Sequence, residues 1–251
     1  MAPRRLHRLN PRRKHRPAHR QAYHPTHREV EVKLRVPDVH AMLQKLQNLG
    51  ARYESRVLER NTLYDTPASD FRHRSALLRI RVETKAPRNS VRRSIRSHRA
   101  ARPLRVILTH KAPAPPRRQP RYKEKLETEL VVPGSPAHWD ATLRSLGLRP
   151  AFLYEKFRTT FRLRWLPGLA IELDETPAGA FLELEGRPGA IDLAAKALRY
   201  TSRDYYRGTY WDVFAADCRR RGITPRNMVF EKQNFSPNRH SLLDKFFHCL
   251  Y

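Results

Sequence analysis

The sequence is poor in cysteine and in long apolar runs, and each shortage excludes a class of protein. Its 251 residues include two cysteines, Cys218 and Cys249, which cannot build a disulfide framework or supply a four-ligand zinc site. No stretch reaches the roughly 18 to 20 consecutive apolar residues of a membrane-spanning helix, and the amino terminus lacks an apolar signal-peptide core. We therefore expect a cytoplasmic protein without a membrane span.

Acidic residues are missing from two long segments. Residues 1–28 contain nine Lys or Arg and residues 84–120 contain eleven, so these segments carry 20 of the 27 net positive charges. Both are rich in Arg and Pro and have little apolar surface to bury, which predicts a disordered tail and an insertion. They are suited to non-specific contact with nucleic acid or polyphosphate, but they lack helix-turn-helix and zinc-finger spacing.

The rest of the chain contains segments in which charged and apolar residues alternate. In EVEVKLRV (29–36) the odd positions are charged and the even positions are apolar, and the pattern recurs in LLRIRVE (77–83), KLETELVV (125–132), IELDE (171–175) and FLELEG (181–186). Alternation with a period of two is typical of β-strands. At least five strands are therefore predicted, each with one charged and one apolar face.

Three helices and an internal repeat complete the predicted organisation. One helix begins after Asp38 and ends at Gly50, a second begins at Ser135-Pro136 with Trp139, Leu143 and Leu146 on its apolar stripe, and a third covers residues 189–199. Glu31, Val36 and Pro37 recur 96 positions later as Glu127, Val132 and Pro133. Two related halves of antiparallel strands without a βαβ rhythm indicate a closed barrel with helices outside.

The alternation alone leaves the orientation of the strands open. The charged faces could meet solvent, as on a half-exposed antiparallel sheet, or they could line the lumen of a barrel whose apolar faces pack outward. A triphosphate would need Arg and Lys around its oxygens, and its metal ions would need carboxylates. Three pairs of acids at i and i+2 meet the second requirement: Glu29 with Glu31, Glu172 with Asp174, and Glu183 with Glu185.

These residues carry a resemblance to a known family. Glu29-Val30-Glu31-Val32-Lys33 matches the ExExK signature of the CYTH family, the triphosphate tunnel metalloenzymes, which include class IV adenylyl cyclases, thiamine triphosphatases and inorganic triphosphatases. Further blocks follow in family order: LYDTP (63–67), ALLRIR (76–81), LTHK (108–111), YEKFRTTF (154–161) and IELDETPAGAFLELEG (171–186). The resemblance implies an α+β fold, mainly antiparallel, in which an eight-stranded barrel turns its charged faces inward.

The resemblance also implies roles for individual residues. The expected ligands of Mg²⁺ or Mn²⁺ are Glu29, Glu31, Glu183 and Glu185. Asp174 is expected to bind metal or orient water, and with Lys33 forms the expected catalytic pair. The expected triphosphate-binding set is Lys33, Arg79, Arg81, Lys111, Lys156 and Arg158. Glu127, Glu129 and Glu172 are expected to hold a second metal or to balance charge.

The expected function is metal-dependent hydrolysis of a triphosphate, which is inorganic or belongs to thiamine or a nucleoside. One alternative is a class IV adenylyl cyclase that makes cyclic AMP and pyrophosphate from ATP, and another is a non-catalytic module that binds polyphosphate or RNA.

The predicted organisation is a basic tail (1–27), a barrel domain (28–215) with an insertion at about 84–104, and an extension of unknown role (216–251). Lys125 departs from the family pattern, which often has an acid there. No feature of the sequence defines an oligomeric state.

Overall fold

The computed structural model describes residues 23–86, 99, 101–115 and 121–230. Within these residues, eight antiparallel β-strands form one sheet that closes on itself. The strands are β1 (Tyr23–Val36), β2 (Arg52–Asp65), β3 (Leu77–Lys85), β4 (Arg105–Pro113), β5 (Lys123–Val132), β6 (Arg149–Arg162), β7 (Ala170–Thr176) and β8 (Gly179–Glu185). The predicted fold class, an eight-stranded closed barrel, is confirmed.

The helices lie between the strands and after the last of them. They are α1 (Val39–Asn48), α2 (Asp70–His73), α3 (Pro136–Ser145), α4 (Pro188–Ala197) and α5 (Tyr210–Arg220), with a short 3₁₀ helix at Ser202–Asp204. In the described part of the chain, none is long and apolar enough to span a bilayer.

The order of the strands around the barrel reflects the internal repeat. Hydrogen bonds join them in the closed order β1-β5-β4-β3-β2-β6-β7-β8. Exchanging β1–β4 with β5–β8 reproduces the same order. Each half contributes a long first and second strand that pair with their counterparts, β1 with β5 and β2 with β6. The two related halves predicted from the spacing of 96 residues are therefore present.

Local chemistry starts and ends two of the helices as predicted. The Asp38 carboxylate accepts hydrogen bonds from the backbone N–H groups of His40 (2.8 Å) and Ala41 (3.2 Å), and the Ser135 hydroxyl accepts one from His138 N–H (3.2 Å). These caps satisfy donors that have no partner within the helix. Gly50 follows α1 with φ +72°, a conformation that favours glycine.

One predicted core position is wrong. Leu146 follows α3 and is 70% exposed, whereas Leu143 of the same helix is buried. α3 ends at Ser145, so Leu146 is the residue at its C-cap. The chain turns at Gly147 (φ +84°), and Leu148 rather than Leu146 packs against the cluster that contains Leu143.

The outer face of β1 forms the largest apolar core. Val30, Val32, Leu34 and Val36 are all buried, and they pack against α1 and α4 in one cluster whose helical members are Met42, Leu43, Leu46, Ile191, Ala194, Ala195 and Leu198. Full burial of an aliphatic side chain contributes about 1.5–3 kcal/mol. The apolar faces therefore pack outward under helices, which leaves the charged faces of the strands to the interior.

Residues after the barrel also pack on it. β7 pairs with β6 only along Phe157–Phe161, so the first half of β6 lies beyond the end of β7. Met228 pairs there instead: its N–H donates to Leu153 O (2.9 Å), and its carbonyl accepts from Glu155 N–H (2.9 Å). Residues 227–230 thus extend the sheet, while residues 231–251 lie outside the described residues.

Part of the predicted basic insertion contacts the same place. Arg99 donates to both carboxylate oxygens of Glu155 (2.8 and 2.5 Å) and to the carbonyl of Phe230 (2.8 Å). Glu155 is fully buried on the outer side of β6. Residues 1–22 and 87–98 lie outside the described residues. They include most of the predicted tail and the part of the predicted insertion that precedes Arg99.

Candidate active site

Ion pairs between strands that are not neighbours identify the lumen of the barrel. Lys111 on β4 binds Glu29 on β1 across the intervening β5, with 2.7 Å from Nζ to each carboxylate oxygen. Arg81 on β3 approaches Glu129 on β5 (3.7 Å) across β4. Val30 and Val32, which alternate with Glu29 and Glu31 on β1, pack under helices on the outer side of the barrel, so the contacts of these acids lie on its inner side. The charged faces therefore point inward, as the resemblance implied.

The wall formed by β1, β5, β4 and β8 holds its charges mainly as lysine–glutamate pairs. Lys111 binds Glu29 and lies 3.1 Å from Glu127. Lys123 binds Glu31 at 2.5 Å, and Lys33 binds Glu183 at 2.9 Å. We call this the lysine wall.

The strand register produces these contacts. Glu31 lies opposite Lys123 on β5 and opposite Glu185 on β8, and Lys33 lies opposite Glu183. Residues paired across antiparallel strands point to the same side, with Cβ atoms about 4.5–5.5 Å apart. The ExExK segment on β1 therefore meets charged residues from both of its neighbours.

The opposite wall, formed by β2, β3, β6 and β7, shares its charges more widely. Arg158 forms two hydrogen bonds to Asp174 (2.8 and 2.7 Å) and also pairs with Glu172 and Glu183. Lys156 binds Asp174 (2.7 Å) and lies 3.6 Å from Glu59. We call this the arginine wall, because its guanidinium groups contact several acids at once.

The pKa values of the acids differ according to these partners. Burial disfavours the charged form of Glu31, but Lys123 and Lys33 outweigh it and lower the pKa to about 2. Glu185 shows the opposite balance: burial, then the nearby Glu172 and Glu29 carboxylates, raise its pKa to about 8. No described side chain forms an ion pair with Glu185, so its charged form lacks the stabilisation that Lys123 gives to Glu31.

Glu172 has a raised pKa despite an arginine partner. Burial is the largest cause, and the neighbouring Asp174 and Glu183 carboxylates add to it, so that the pKa reaches about 7 although Arg158 acts in the opposite direction. Glu172 lies opposite Glu183 across β7 and β8. Glu172 on β7 and Glu185 on β8 thus both have raised pKa values and hold a proton more readily than ordinary glutamates.

Asp174 lies at the centre of the arginine wall. Its carboxylate accepts four hydrogen bonds: two from Arg158, one from Lys156 and one from the Tyr210 hydroxyl, the last at 2.6 Å. The Nζ atoms of Lys33 and Lys156 lie 4.4 and 5.1 Å from the centre of the Tyr210 ring. Helix α5 thereby places an aromatic side chain against three residues of the predicted site.

Several buried polar atoms of the lumen have no hydrogen-bond partner among the described atoms. They are Glu59 Oε1, Asn61 Oδ1, Arg79 Nε and Arg81 Nε. All four belong to β2 and β3, and each side chain lies on the inward face of its strand. Buried polar groups normally have partners, so this part of the lumen is suited to a polar ligand.

The structure brings the predicted site residues into one lumen. Ten of them are almost fully buried although charged: Glu29, Glu31, Lys33, Arg79, Lys111, Glu127, Lys156, Arg158, Asp174 and Glu183. Arg81, Glu129, Glu172 and Glu185 lie on inward positions of the same strands with partial exposure. His110 is exposed and stacks edge-on with Phe71, on the side away from Lys111 as its alternating position predicts.

Sequence reasoning missed other members of the lumen. Glu59 is 1% exposed and contacts Arg81 (3.7 Å), Lys156 and Arg158 (3.6 Å each). The alternation of Glu59 and Asn61 on β2 could have revealed it, as the alternation of Lys123 with Glu127 on β5 could have revealed Lys123. Tyr210 lies on a helix, and no strand pattern could have placed it in the barrel.

Comparison with known proteins agrees with this geometry. A family model described as CYTH domain matches residues 27–208. The chain therefore belongs to the CYTH domain family. A comparison with curated proteins found no match.

Solved structures with this fold include three informative neighbours. A Vibrio parahaemolyticus protein proposed to be an adenylate cyclase is 16% identical with a TM-score of 0.55, and the match covers 74% of this chain and 97% of that one. A Pyrococcus horikoshii protein is 22% identical with a TM-score of 0.55, covering 75% and 99%. A Hippeastrum protein proposed to be an adenylyl cyclase, for which a dominant triphosphatase activity is described, is 19% identical with a TM-score of 0.50, covering 78% and 97%. At these identities the likeness establishes the fold.

Proposed function

We propose that this protein is a metal-dependent phosphohydrolase that acts on a triphosphate group inside the barrel. The observation that carries the proposal is the convergence of six predicted phosphate-binding cations in one buried lumen together with acids from β1, β7 and β8. The six are Lys33, Arg79, Arg81, Lys111, Lys156 and Arg158. Even when buried charges are paired, their desolvation offsets much of the attraction between them, so a structural role alone accounts poorly for so many.

The arginine wall suits the phosphate oxygens. Arg158 and Arg81 supply planar forks that can form two parallel hydrogen bonds to a phosphate, and Lys156 supplies a point charge between them. The Nε atoms of Arg79 and Arg81 are buried and have no hydrogen-bond partner within the described part of the chain. A triphosphate bound along this wall would give those donors acceptors and would replace some of the acids that now contact the guanidinium groups.

The lysine wall and β8 suit a divalent cation in their donor chemistry. Mg²⁺ and Mn²⁺ prefer oxygen ligands and usually keep waters or substrate oxygens in their shells. Among the described residues, no three His, Cys, Asp or Glu side chains converge as a ready-made ligand set. Glu29, Glu31 and Glu183 each bind a lysine. Burial and the nearby Glu172 and Glu29 carboxylates raise the pKa of Glu185, and a divalent cation bound there would take the place of the proton.

We assign Glu29, Glu31, Glu183 and Glu185 as the residues that would hold Mg²⁺ or Mn²⁺. The ion would supply charge neutralisation of the phosphate oxygens and polarisation of the bond that breaks. Glu127, Glu129 and Glu172 would balance the cations of the lumen or hold a second ion. Their positions beside Lys111, Arg81 and Arg158 fit the first role.

The residues of the chain itself bind and orient the substrate. Lys33 would neutralise the triphosphate from the β1 side, and Lys156 with Arg158 would stabilise negative charge that develops on the departing oxygen. The four hydrogen bonds to Asp174 suit it to orient Lys156 and Arg158. Its other expected role, orienting the attacking water, stays a prediction.

The two alternatives depend on different features. A cyclase would bring the 3′-hydroxyl of ATP, rather than water, to the α-phosphorus in the same lumen. The Vibrio and Hippeastrum proteins are named as proposed cyclases, which supports this alternative. A binding module would use the basic tail and insertion, most of which lie outside the described residues. Cytoplasmic location, expected from the scarcity of cysteine, belongs to the proposal as well.

Product analysis tests the proposal directly. Purified protein would receive inorganic triphosphate, thiamine triphosphate or ATP with Mg²⁺ or Mn²⁺, and orthophosphate, pyrophosphate and cyclic AMP would be separated. Lys156→Met should abolish product formation, whereas Lys196→Met, which removes the same charge from an exposed position on α4, should not. This pair excludes a contaminating phosphatase.

The products decide between the reactions. Orthophosphate from a triphosphate, lost in Lys156→Met, is the expected result. Cyclic AMP with pyrophosphate would replace the hydrolase assignment by the cyclase. No product with any substrate, combined with salt-sensitive binding of polyphosphate, would replace it by the binding module.

A further inference from the structure

Strand β5 brings two lysines to the acids of the ExExK segment. The register places Lys123 opposite Glu31 and Lys125 opposite Glu29. Both lysines lie on the same side of β5, two residues apart. The first two acids of β1 therefore each have a lysine directly across the strand pair, a feature that follows from the chain's own sequence at these positions.

The two lysines make different contacts. Lys123 Nζ binds the Glu31 carboxylate at 2.5 Å, and the two side chains are 21% and 8% exposed. Lys125 Nζ instead donates to the backbone carbonyl of Ser75 at 2.6 Å. The environment opposes a charge on Lys125: burial, then Lys123 and Lys111, lower its pKa. Lys123 is thus the lysine that occupies Glu31.

An ammonium group and a metal ion compete for the same carboxylate oxygens. Lys123 holds one oxygen of Glu31 at hydrogen-bond distance, and an ion bound to Glu31 would use the oxygens of the same carboxylate. Glu185, the cross-strand neighbour of Glu31 on the other side, has no described cationic partner. These two acids, directly opposite each other in the register of β1 and β8, therefore differ in whether a described protein cation already binds them.

We propose that Lys123 is a built-in competitor of the divalent cation at Glu31, so that metal loading requires Lys123 to leave this carboxylate. The inference rests on the proposed function, because it concerns the metal site assigned there. Lys123 thereby acts as a positioning residue that sets the affinity of the tunnel for metal. The partial exposure of Lys123 gives its side chain room to turn away from Glu31.

Metal binding without substrate tests this role. Mn²⁺ affinity would be measured on the full-length protein by electron paramagnetic resonance and by calorimetry, for wild type, Lys123→Gln and Lys125→Gln. Both variants remove one lysine from the same face of β5, so the long-range electrostatic effect on Mn²⁺ affinity should be similar in the two. We expect Lys123→Gln to bind Mn²⁺ about tenfold more tightly and Lys125→Gln to change by about twofold or less, a coupling within the ordinary range for neighbouring sites.

Two further variants separate the outcomes. Lys123→Arg keeps the charge and should keep weak binding, and Glu31→Gln should weaken binding. Unchanged affinity in Lys123→Gln, with weakened binding in Glu31→Gln, would overturn the competitor role and leave the proposed metal site intact. Unchanged affinity in Glu31→Gln would overturn the metal site and this inference together, while product analysis would still decide the reaction. Far-UV circular dichroism of each variant checks that the barrel has folded.

Discussion

The lysine wall and the arginine wall enclose the same lumen but hold their charges in different ways. On the lysine wall each ammonium group binds one or two carboxylates, and a partner such as Lys123 is 21% exposed. On the arginine wall Arg158 contacts four acids, Glu59, Glu172, Asp174 and Glu183, and Asp174 is fully buried. The lysine wall consists mainly of pairs and joins the arginine wall through Glu183, which Lys33 and Arg158 share, whereas the arginine wall is a connected network.

This difference follows from the chemistry of the two cations. A lysine is a point charge on a flexible stem, so it can change partners at modest cost, whereas a guanidinium group fixes several acceptors in one plane. A pairwise wall can therefore exchange an ammonium group for a metal ion. A network wall is better suited to hold phosphate oxygens in a constant geometry, because each member is restrained by several others.

The largest effect is expected when the acids of the lysine wall lose their charge. Glu29→Gln with Glu31→Gln should lower metal-dependent turnover about a thousandfold, because charge neutralisation by the ion is worth several kcal/mol in the transition state. The measurement is the rate of orthophosphate release with Mn²⁺, with circular dichroism as a check on the fold. Glu54→Gln, which removes an exposed acid of β2 paired with Arg162, is the matched control. Unchanged turnover in the double variant would refute the site assignment.

A smaller effect on stability should distinguish the two walls. Arg158→Gln leaves several buried acids without their shared partner, so we expect it to lower the free energy of unfolding by about 3 kcal/mol. Lys123→Gln breaks one partly exposed pair, and we expect a loss of about 1 kcal/mol or less. Urea denaturation of metal-free protein at neutral pH measures both. Equal losses would show that the arginine wall is no more connected than the lysine wall.

The smallest effect concerns Glu185 and pH. Its pKa is raised to about 8 in the folded protein, above the value of about 4.3 expected in the unfolded chain. The folded state therefore binds the proton more tightly, and this group's contribution to stability is present at low pH and lost as pH rises through about 8. Glu185→Gln should remove that loss and stabilise the metal-free protein at pH 8.5 by about 1–3 kcal/mol.

Thermal denaturation across pH in the presence of a chelator checks this expectation. The wild type and Glu185→Gln should have similar stability near pH 5 and should diverge as the pH rises. Mn²⁺ should restore the wild type at high pH and have a weaker effect on the variant. If the unfolding temperatures of the two proteins instead changed in parallel with pH, the pKa of Glu185 would not be raised in the folded protein, and the prediction would be wrong.

Much of the fold was predictable because it depends on local patterns. The alternation in EVEVKLRV predicted β1, Asp38 and Ser135 predicted two helix starts, and the spacing of Glu31 and Glu127 predicted two related halves. The stripe that included Leu146 failed because the chain turns at Gly147 and brings Leu148 onto the barrel instead. The helical period by itself does not show which residue after the turn packs against the barrel.

The candidate site was predictable where residues alternate on strands and hidden elsewhere. Glu29, Lys33, Lys156 and Arg158 stand in alternating segments that resemble the family's blocks. Glu59 lies in the less regular sequence VLERNTLYD, and its role follows from its position opposite Lys156 on β6. Tyr210 reaches Asp174 only because α5 folds back onto the barrel.

The sequence by itself determined which residues form strands, which faces of those strands are charged, and which acids stand two positions apart. These properties depend on the pleat of a single strand and on the chemistry of neighbouring side chains. Only the tertiary structure decided which cation meets which acid: Lys123 with Glu31, Lys111 with Glu29, and Arg158 with Asp174. Those pairs depend on register and on closure of the sheet, which join positions as many as 92 residues apart in the chain.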